Sequence, residues 1–293
     1  MNNYLTIDIG GTDLKYGVIT ENEKLILKDL TPTNGHLGVN NLMNTIKEIF
    51  INLNEKYNLK GISISSTGVF DSETNMLFPS IAIKDYENTN IKNELASLGV
   101  PISVENDVNS MGLCEITYVP NYQNLKCIVT MTLGTGIGGA IFINSELHRG
   151  YQFTAGEWGK FYTNQDLITY EDMASVSQLV RNSQAIYPDI KNGIDVYQYY
   201  DNGDGKITEV VDNFYHQVAL GITNIVYTLN PEHIVIGGGI TSRGDKFLAE
   251  LKDKLKLLLA PYLFDSLGIS LAVNGNDAGM IGAFKHFKNL YLK

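Results

Sequence analysis

One pattern occurs twice in this chain of 293 residues, and it constrains the fold more than any other feature. Each copy has an apolar, β-branched segment, a glycine-rich turn and a second apolar segment: LTIDIGGTDLKYGVI near the start and KCIVTMTLGTGIGGAIFI in the middle. Such segments predict strand–turn–strand hairpins. Helical periodicity follows, as in VNNLMNTIKEIFINLNEKY. The sequence therefore predicts a duplicated α/β architecture, with two halves around a cleft in which the glycine turns meet a ligand.

The glycine turns themselves admit two readings. LGTGIGG contains the spacing of a dinucleotide-binding turn, but that motif requires a helix directly after the glycines. The apolar, β-branched AIFI follows instead, so a hairpin is favoured. A third glycine run occurs in HIVIGGG. Because glycines leave backbone N–H groups accessible, three such turns are typical of an anion site, although each alone could be structural.

Asp8 stands two residues before Gly10 in the first turn, where Thr132 stands in the second copy. A carboxylate beside a phosphate-binding turn is repulsive unless a cation lies between them. Either a magnesium ion neutralises both groups, or Asp8 only caps the local turn.

A second carboxylate occurs in VENDVNS, where a predicted strand ends and a predicted helix begins at Asp107. A carboxylate fixed at such a corner can accept the proton of a hydroxyl nucleophile. The alternative is that Asp107 only caps the helix.

Five motifs in order along the chain, DIGGTDLK, VENDVNSMG, LGTGIGG, AGEWG and IVIGGGI, resemble the sugar kinase/actin/Hsp70 fold. Within that fold they resemble the ROK family of bacterial sugar kinases and repressors. The resemblance implies an ATP-binding enzyme of two α/β domains. Residues 1–117 and 277–293 would form the N-terminal domain and residues 118–276 the C-terminal domain.

The resemblance also implies roles for the glycine turns. The first two would hold the ATP phosphates, the third would approach the nucleoside, and Asp8 would hold Mg²⁺ directly or through its waters. The ATP-binding residues would be Asp8, Gly10, Gly11, Thr12, Lys15, Gly134, Thr135, Gly136, Gly238 and Gly239.

The same resemblance implies a sugar site. Asp107 would be the catalytic base, and Asn106 and Glu157 would hold sugar hydroxyls. Ser66, Thr67 and Gly68, within SSTGVFD, would line the pocket, although that stretch lacks the proline that relatives often have and ordinary loop chemistry explains it almost as well.

Lys160 marks a departure, because the family usually has a histidine there that contacts the sugar and ligates a structural zinc. Lys160 is assigned to the sugar site in its place. FYTNQDLITYEDMAS carries no Cys or His. Zinc needs four ligands of that kind, so we predict no zinc site and an altered sugar selectivity.

The implied activity is transfer of the ATP γ-phosphate to a hexose hydroxyl, with the 6-hydroxyl of glucose or a β-glucoside as the expected acceptor. N-acetylmannosamine or another hexose is the alternative substrate. A sugar-responsive regulator or a chaperone-like ATPase is the alternative of another class. A repressor would need a DNA-binding domain before the first hairpin, and an Hsp70-type protein a substrate domain after the last helix; neither is expected here.

The composition restricts the classes of binding partner and the cellular compartment. The formal net charge is −10, which argues against a nucleic acid or an anionic membrane as partner. No apolar run is long enough to span a bilayer, and no leader is recognised at the start. The only two cysteines, Cys114 and Cys127, lie in apolar segments and favour a reducing compartment. We expect a cytoplasmic homodimer with a small-molecule sugar substrate.

Overall fold

The computed structural model describes residues 1–68, 83–163 and 166–292. The chain divides into two compact units. Unit 1 comprises Met1–Val119, Gly150–Thr154 and Asn274–Lys293, and unit 2 comprises Pro120–Arg149 and Ala155–Val273. A domain division at residues 117 and 277 stays a prediction of the sequence.

Unit 1 contains a five-stranded sheet in the order β3-β2-β1-β4-β5. Its strands are β1 (Asn3–Ile9), β2 (Asp13–Thr20), β3 (Leu25–Pro32), β4 (Leu59–Ser66) and β5 (Ile102–Asn106). The first three form an antiparallel meander, and β4 and β5 join β1 in parallel. The helices of this unit are α1 (Val39–Tyr57), α2 (Ile91–Glu94), α3 (Asp107–Tyr118) and α10 (Ala278–Tyr291).

Unit 2 repeats this topology with a sheet in the order β8-β7-β6-β9-β10. Its strands are β6 (Cys127–Leu133), β7 (Ile137–Ile143), β8 (Glu146–His148), β9 (His233–Gly237) and β10 (Gly268–Leu271). The helices are α4 (Tyr170–Ala174), α5 (Val176–Gln184), α6 (Gly193–Asp201), α7 (Gly205–Leu229), α8 (Asp245–Leu258) and α9 (Pro261–Ser266). Both sheets combine an antiparallel hairpin with parallel crossover strands, so the predicted duplicated α/β architecture is confirmed.

Each unit has its own apolar core. In unit 1, alternate residues of β1 face opposite sides of the sheet. Leu5, Ile7 and Ile9 pack in one cluster with the apolar face of α1. Tyr4, on the other face, packs against Phe284 of α10. In unit 2 the core is built around the long helix α7 and strands β6 and β9.

Alternation along β1 also determines where Asp8 lies. Tyr4, Thr6 and Asp8 share the face covered by α10. The Thr6 hydroxyl donates to the Met280 carbonyl oxygen at 2.6 Å. Asp8 is next along that face and therefore lies beside the first turn of α10. Within the part of the chain described, no helix is long and apolar enough to cross a membrane.

Candidate active site

The first glycine turn (residues 10–12) joins β1 to β2. The Gly10 N–H donates to the Asp13 carbonyl oxygen at 3.0 Å, and a Cβ on Gly10 would lie 2.9 Å from that oxygen. The Thr33 hydroxyl donates to the Gly10 carbonyl oxygen at 2.7 Å. The turn is therefore held by its own backbone and by Thr33, and glycine is required at position 10 for this close approach.

Asp8 lies beside this turn and contacts Ser65, Lys15 and Gly279. The Ser65 hydroxyl donates to Asp8 Oδ1 at 2.7 Å, and Lys15 Nζ lies 3.5 Å from Asp8 Oδ2. A Cβ on Gly279 would lie 2.7 Å from the Asp8 carboxyl carbon. Gly279 is the second residue of α10, whose helix dipole favours a negative charge at that end. Asp8 and Lys15 also face each other in the β1–β2 register.

The carboxyl ends of β1, β4 and β5 form one row, because these three strands are adjacent and parallel. The Thr67 N–H donates to the Ile9 carbonyl oxygen at 3.3 Å. The Asn106 amide nitrogen donates to the Gly68 carbonyl oxygen at 3.0 Å. These bonds hold the ends of β1, β4 and β5 together at the edge where α/β sheets commonly bind ligands, and Asp8 directly precedes Ile9 in β1.

Asn106 and Asp107 lie where β5 turns into α3. Asn106 is the N-cap, and its side-chain oxygen accepts from the N–H groups of Val108 and Asn109 at 2.9 and 3.0 Å. Such a cap contributes about 1 kcal/mol. Asp107 is the first residue of α3, and its Oδ1 accepts from the Asn106 amide at 2.9 Å. The capping role falls on Asn106, while the Asp107 carboxylate is oriented by its neighbours.

Ser66 is buried and its hydroxyl lies 2.6 Å from the Tyr86 hydroxyl. Burial, together with the nearby Asp107 charge, raises the pKa of Tyr86 despite the bond from Ser66. Tyr86 thus stays a neutral phenol beside the strand ends. Residues 69–71, the remainder of the predicted SSTGVFD stretch, lie outside the described residues.

The second glycine turn (residues 134–136) joins β6 to β7 in the predicted hairpin, with Leu133 paired to Ile137. The Gly134 N–H donates to the Gly136 carbonyl oxygen at 3.1 Å. Thr132 stands second from the end of β6, as Asp8 does in β1, and its hydroxyl accepts from the Gly138 N–H at 3.3 Å. The equivalence of Thr132 and Asp8 is therefore visible in the topology.

The third glycine segment (residues 237–239) ends β9, which is parallel to β6. Gly238 has φ +87°, and a Cβ there would lie 2.5 Å from the Leu133 carbonyl oxygen, so glycine is required. A Cβ on Gly134 would lie 4.0 Å from the Gly239 nitrogen, which makes the second and third glycine stretches neighbours. Ser242 and Arg243, a few residues after Gly239 in the chain, line a cavity of about 470 Å³ together with Tyr197 and other residues.

The Glu157 turn (residues 157–160) contains Glu157 and Lys160 on a single 3₁₀ turn. Glu157 is partly buried; burial raises the pKa of its carboxyl, and the effect of Lys160, which lowers the pKa, is opposed by Glu171. Lys160 Nζ lies 2.5 Å from Glu171 Oε1 on α4. The residue at the unusual position is therefore held by an acidic partner that the sequence analysis did not single out.

No group of three or more His, Cys, Asp and Glu side chains among the described residues could hold a metal ion. A single partly buried carboxylate such as Asp8 fits Mg²⁺, which keeps several waters and takes its remaining ligands from substrate phosphates. Tetrahedral zinc would need a larger set of ligands than this.

Three residues beside the predicted site were missed. Ser65 could have been found from its place at the end of a strand parallel to β1. Gly279 could not, because its contact with Asp8 joins opposite ends of the chain. Glu171 lies in a five-residue helix, too short for periodicity to single out one residue.

The sequence matches the model of the ROK family over residues 4–289. The chain belongs to the ROK family. This ROK protein is 34% identical to a beta-glucoside kinase of Listeria monocytogenes over 292 residues, covering 96% of this chain and 95% of that protein. The Lmo2764 protein of the same species is 31% identical, with a TM-score of 0.88 over 98% of this chain and 99% of that one.

A ROK glucokinase of Streptomyces griseus, solved with glucose and AMPPNP, has a TM-score of 0.83 at 21% identity over 97% of this chain and 99% of that one. Because the identity is only 21%, this similarity supports the fold and says nothing about the activity. Together with the family match, it confirms the predicted actin-like α/β fold of this ROK protein.

Proposed function

We propose that this chain is an ATP-dependent sugar kinase that transfers the γ-phosphate to a hexose hydroxyl, with the 6-hydroxyl of glucose or a β-glucoside as the preferred acceptor. The observation that carries the proposal is the row of strand ends in unit 1. There Ser65 donates to Asp8, and Asn106 donates to Asp107 and to the Gly68 carbonyl oxygen, all at the carboxyl edge of one sheet.

The proposed chemistry assigns one role to each part of that row. The sugar oxygen attacks the γ-phosphorus, Asp107 accepts the hydroxyl proton, and the bond between the γ-phosphorus and its bridging oxygen breaks to release ADP. Asn106 holds a sugar hydroxyl beside Asp107. Ser66, Thr67 and Gly68 line the same strand ends. The Asn106 side chain already bonds Val108, Asn109, Gly68 and Asp107, so a sugar hydroxyl would replace one of these partners.

The nucleotide assignment rests on the glycine turns. Gly10, Gly11 and Thr12 and, in unit 2, Gly134, Thr135 and Gly136 would bind phosphate oxygens with backbone N–H groups. Asp8 would hold Mg²⁺, which supplies charge neutralisation when bound, and Lys15 would turn from Asp8 toward a phosphate. Gly238 and Gly239 would approach the nucleoside, and the cavity beside Arg243 is large enough to hold part of it.

Relatives support the acceptor class. The beta-glucoside kinases of Listeria monocytogenes and Klebsiella pneumoniae are 34% and 32% identical to this chain, and the glucokinase of Halalkalibacterium halodurans is 28% identical. We therefore rank β-glucosides before glucose. N-acetylmannosamine is the alternative acceptor, since the Lmo2764 protein carries that activity as a proposed function.

We also propose a cytoplasmic homodimer. Cys114 and Cys127 are free thiols, as expected in a reducing compartment, and twofold homodimers are the commonest assemblies of such proteins. Light scattering after size exclusion measures the mass directly.

The test of the kinase is coupled ADP release with Mg-ATP against glucose, mannose, fructose, N-acetylmannosamine, N-acetylglucosamine, cellobiose and gentiobiose. Asp107→Asn removes the base and is expected to lower kcat about 10²- to 10⁴-fold. Asp253→Asn, the same change on the exposed face of α8, is the matched control. Sugar binding without turnover in the wild type would instead indicate a sugar-responsive regulator.

A further inference from the structure

Thr33 contacts the first glycine turn twice. Its hydroxyl donates to the Gly10 carbonyl oxygen at 2.7 Å, and its N–H donates to the Thr12 carbonyl oxygen at 2.8 Å. Thr33 directly follows β3 in the chain, and only 2% of its surface is accessible. It therefore supports the turn from the interior of unit 1 and is itself covered.

The bond to the Gly10 carbonyl oxygen also determines the direction of a neighbouring N–H group. The C=O of Gly10 and the N–H of Gly11 belong to one trans peptide group, and in a planar trans peptide these two bonds point in opposite directions. Because the buried Thr33 holds the carbonyl, the Gly11 N–H is directed to the other side, where Gly11 is exposed. The turn thereby presents a donor of the kind that binds phosphate oxygens.

This peptide group joins two glycines, so no side chain next to it restricts its rotation. Glycine limits φ and ψ less than any other residue, and a Cβ on Gly11 would meet nothing within 4 Å. The bond from the Gly10 N–H to the Asp13 carbonyl oxygen closes the turn but does not involve the Gly10 carbonyl. Within the described part of the chain, the contact that fixes the direction of this carbonyl is the Thr33 hydroxyl.

The second glycine turn has the same arrangement with a different donor. Gly134 stands where Gly10 stands, because TLGTG aligns with DIGGT. The Gly134 carbonyl oxygen accepts from the Ser177 N–H at 3.3 Å. Ser177 is the second residue of α5, where an N–H has no acceptor within its own helix. The equivalent carbonyl is thus held in both units by unrelated donors, and what the two turns share is the direction of the peptide group.

We propose that Thr33 is a positioning residue, which holds the Gly10 carbonyl so that the Gly11 N–H is directed at a phosphate oxygen of the nucleotide. The proposal rests on the proposed kinase function, which assigns this turn to the phosphates of ATP. Thr33 does not touch the nucleotide. It orients the donor before the nucleotide arrives, so that the cost of ordering the turn is not added to binding. Its effect is therefore specific to the phosphates and spares the nucleoside and the sugar.

Thr33→Val tests the hydroxyl alone, because valine has nearly the same shape and keeps the main-chain bond to the Thr12 carbonyl oxygen. We expect kcat/KM for Mg-ATP to fall about 10- to 100-fold, the order of loss that follows when a group in the site is misplaced. Adenosine carries no phosphate, so its inhibition constant against Mg-ATP should stay at the wild-type value. KM for the sugar should also stay unchanged. Steady-state kinetics measures all three quantities.

Thr33→Ser and Thr20→Val are the matched controls. Serine keeps the hydroxyl, so Thr33→Ser should retain the wild-type kcat/KM for Mg-ATP. Thr20 is a buried threonine at the other end of β2, and its hydroxyl accepts from the Lys24 N–H at 3.2 Å. Thr20→Val therefore loses a buried hydroxyl of the same unit away from the turn and should keep wild-type kinetics. Thermal unfolding checks the fold of each variant, and Thr33→Ala takes the place of Thr33→Val if that protein does not fold.

The outcomes separate this proposal from the kinase proposal. An unchanged kcat/KM for Mg-ATP in Thr33→Val would overturn the role of Thr33 and leave the kinase standing. So would a Thr33→Ser variant as impaired as Thr33→Val, or a sugar KM that rises with the KM for Mg-ATP, because either shows a general disturbance of the unit.

Binding measurements decide the role of Thr33 if the wild type has no sugar-dependent turnover. The kinase proposal then fails, and Mg-AMPPNP is titrated into the same proteins by calorimetry. A weaker affinity in Thr33→Val, with wild-type affinity in Thr33→Ser and Thr20→Val, supports the positioning role, and equal affinities overturn it. A wild type that neither turns over sugar nor binds Mg-AMPPNP removes both proposals.

Discussion

Asp8 depends on a neighbour from the other end of the chain. Gly279 approaches so closely that a Cβ there would lie 2.7 Å from the Asp8 carboxyl carbon. We expect Gly279→Ala to push the carboxylate out of place and, because misplacement by about 1 Å can cost about 100-fold in rate, to lower kcat on that order. Steady-state kinetics with Mg-ATP varied is the measurement. A variant with wild-type kcat and KM for Mg-ATP would contradict the assignment of Asp8.

Glu157 gives a prediction about pH. Burial raises the pKa of its carboxyl; Lys160 lowers the pKa and Glu171 raises it. If the carboxylate holds the sugar, kcat/KM should fall on acidification at a higher pH than an ordinary glutamate would give. Lys160→Met removes a lowering influence, so the acid limb should move to higher pH. The measurement is kcat/KM as a function of pH for the wild type and for Lys160→Met. If the acidic fall in kcat/KM moves to lower pH in the variant, Lys160 does not lower the pKa of Glu157.

The same raised pKa has a consequence for stability. Between the unfolded and folded pKa values of Glu157, the folded state binds more protons than the unfolded state. The contribution of this group therefore favours folding at acidic pH and is lost as pH rises from the ordinary glutamate pKa through the raised one. Glu157→Gln should remove this dependence, which unfolding curves at several pH values would reveal as a flatter pH profile of the free energy of unfolding.

At the scale of elements, α3 and α10 pack as closely as their backbones allow. A Cβ on Gly282 would lie 1.7 Å from the Ser110 carbonyl oxygen. Gly282→Ala should separate the helices and lower the free energy of unfolding by about 1–3 kcal/mol. Gly205→Ala, at the open start of α7 where nothing lies within 4 Å, is the control. Equal melting temperatures for the two variants would count against this account of the helix contact.

Elements whose signals are local were predicted at their observed bounds. Helix α1 coincides with the periodic segment VNNLMNTIKEIFINLNEKY, and α3 begins at Asp107 as predicted. Helix α7 begins at Gly205, because the Asp204 side chain caps it by accepting from the Ile207 N–H at 2.9 Å. The break between α4 and α5 was not predicted, because it depends on Ser175 acting as a cap. That break brings Glu171 to the glycine turn, and so the residue was missed.

At the scale of the whole molecule, the two sheets share one strand order. The repeat of the hairpin pattern predicted the duplicated α/β architecture but not this strand order. Contacts between distant parts of the sequence, such as Gly279 with Asp8, were not predictable from local pattern. The sequence could place the glycine turns and Asp107 because their spacing is local. It could not give the partners of Lys160, because those depend on how α4 packs.

Metal dependence is a property of the whole chain that can be tested directly. The described residues contain no cluster suited to zinc, and Asp8 is suited to Mg²⁺. We therefore expect EDTA to abolish turnover and Mg²⁺ alone to restore it, because phosphoryl transfer needs the cation at the phosphates. The melting temperature should stay unchanged, since no structural metal is removed. Stoichiometric zinc in the purified protein, measured by elemental analysis, or a lower melting temperature after chelation would show that a metal site had escaped both the sequence and the described structure.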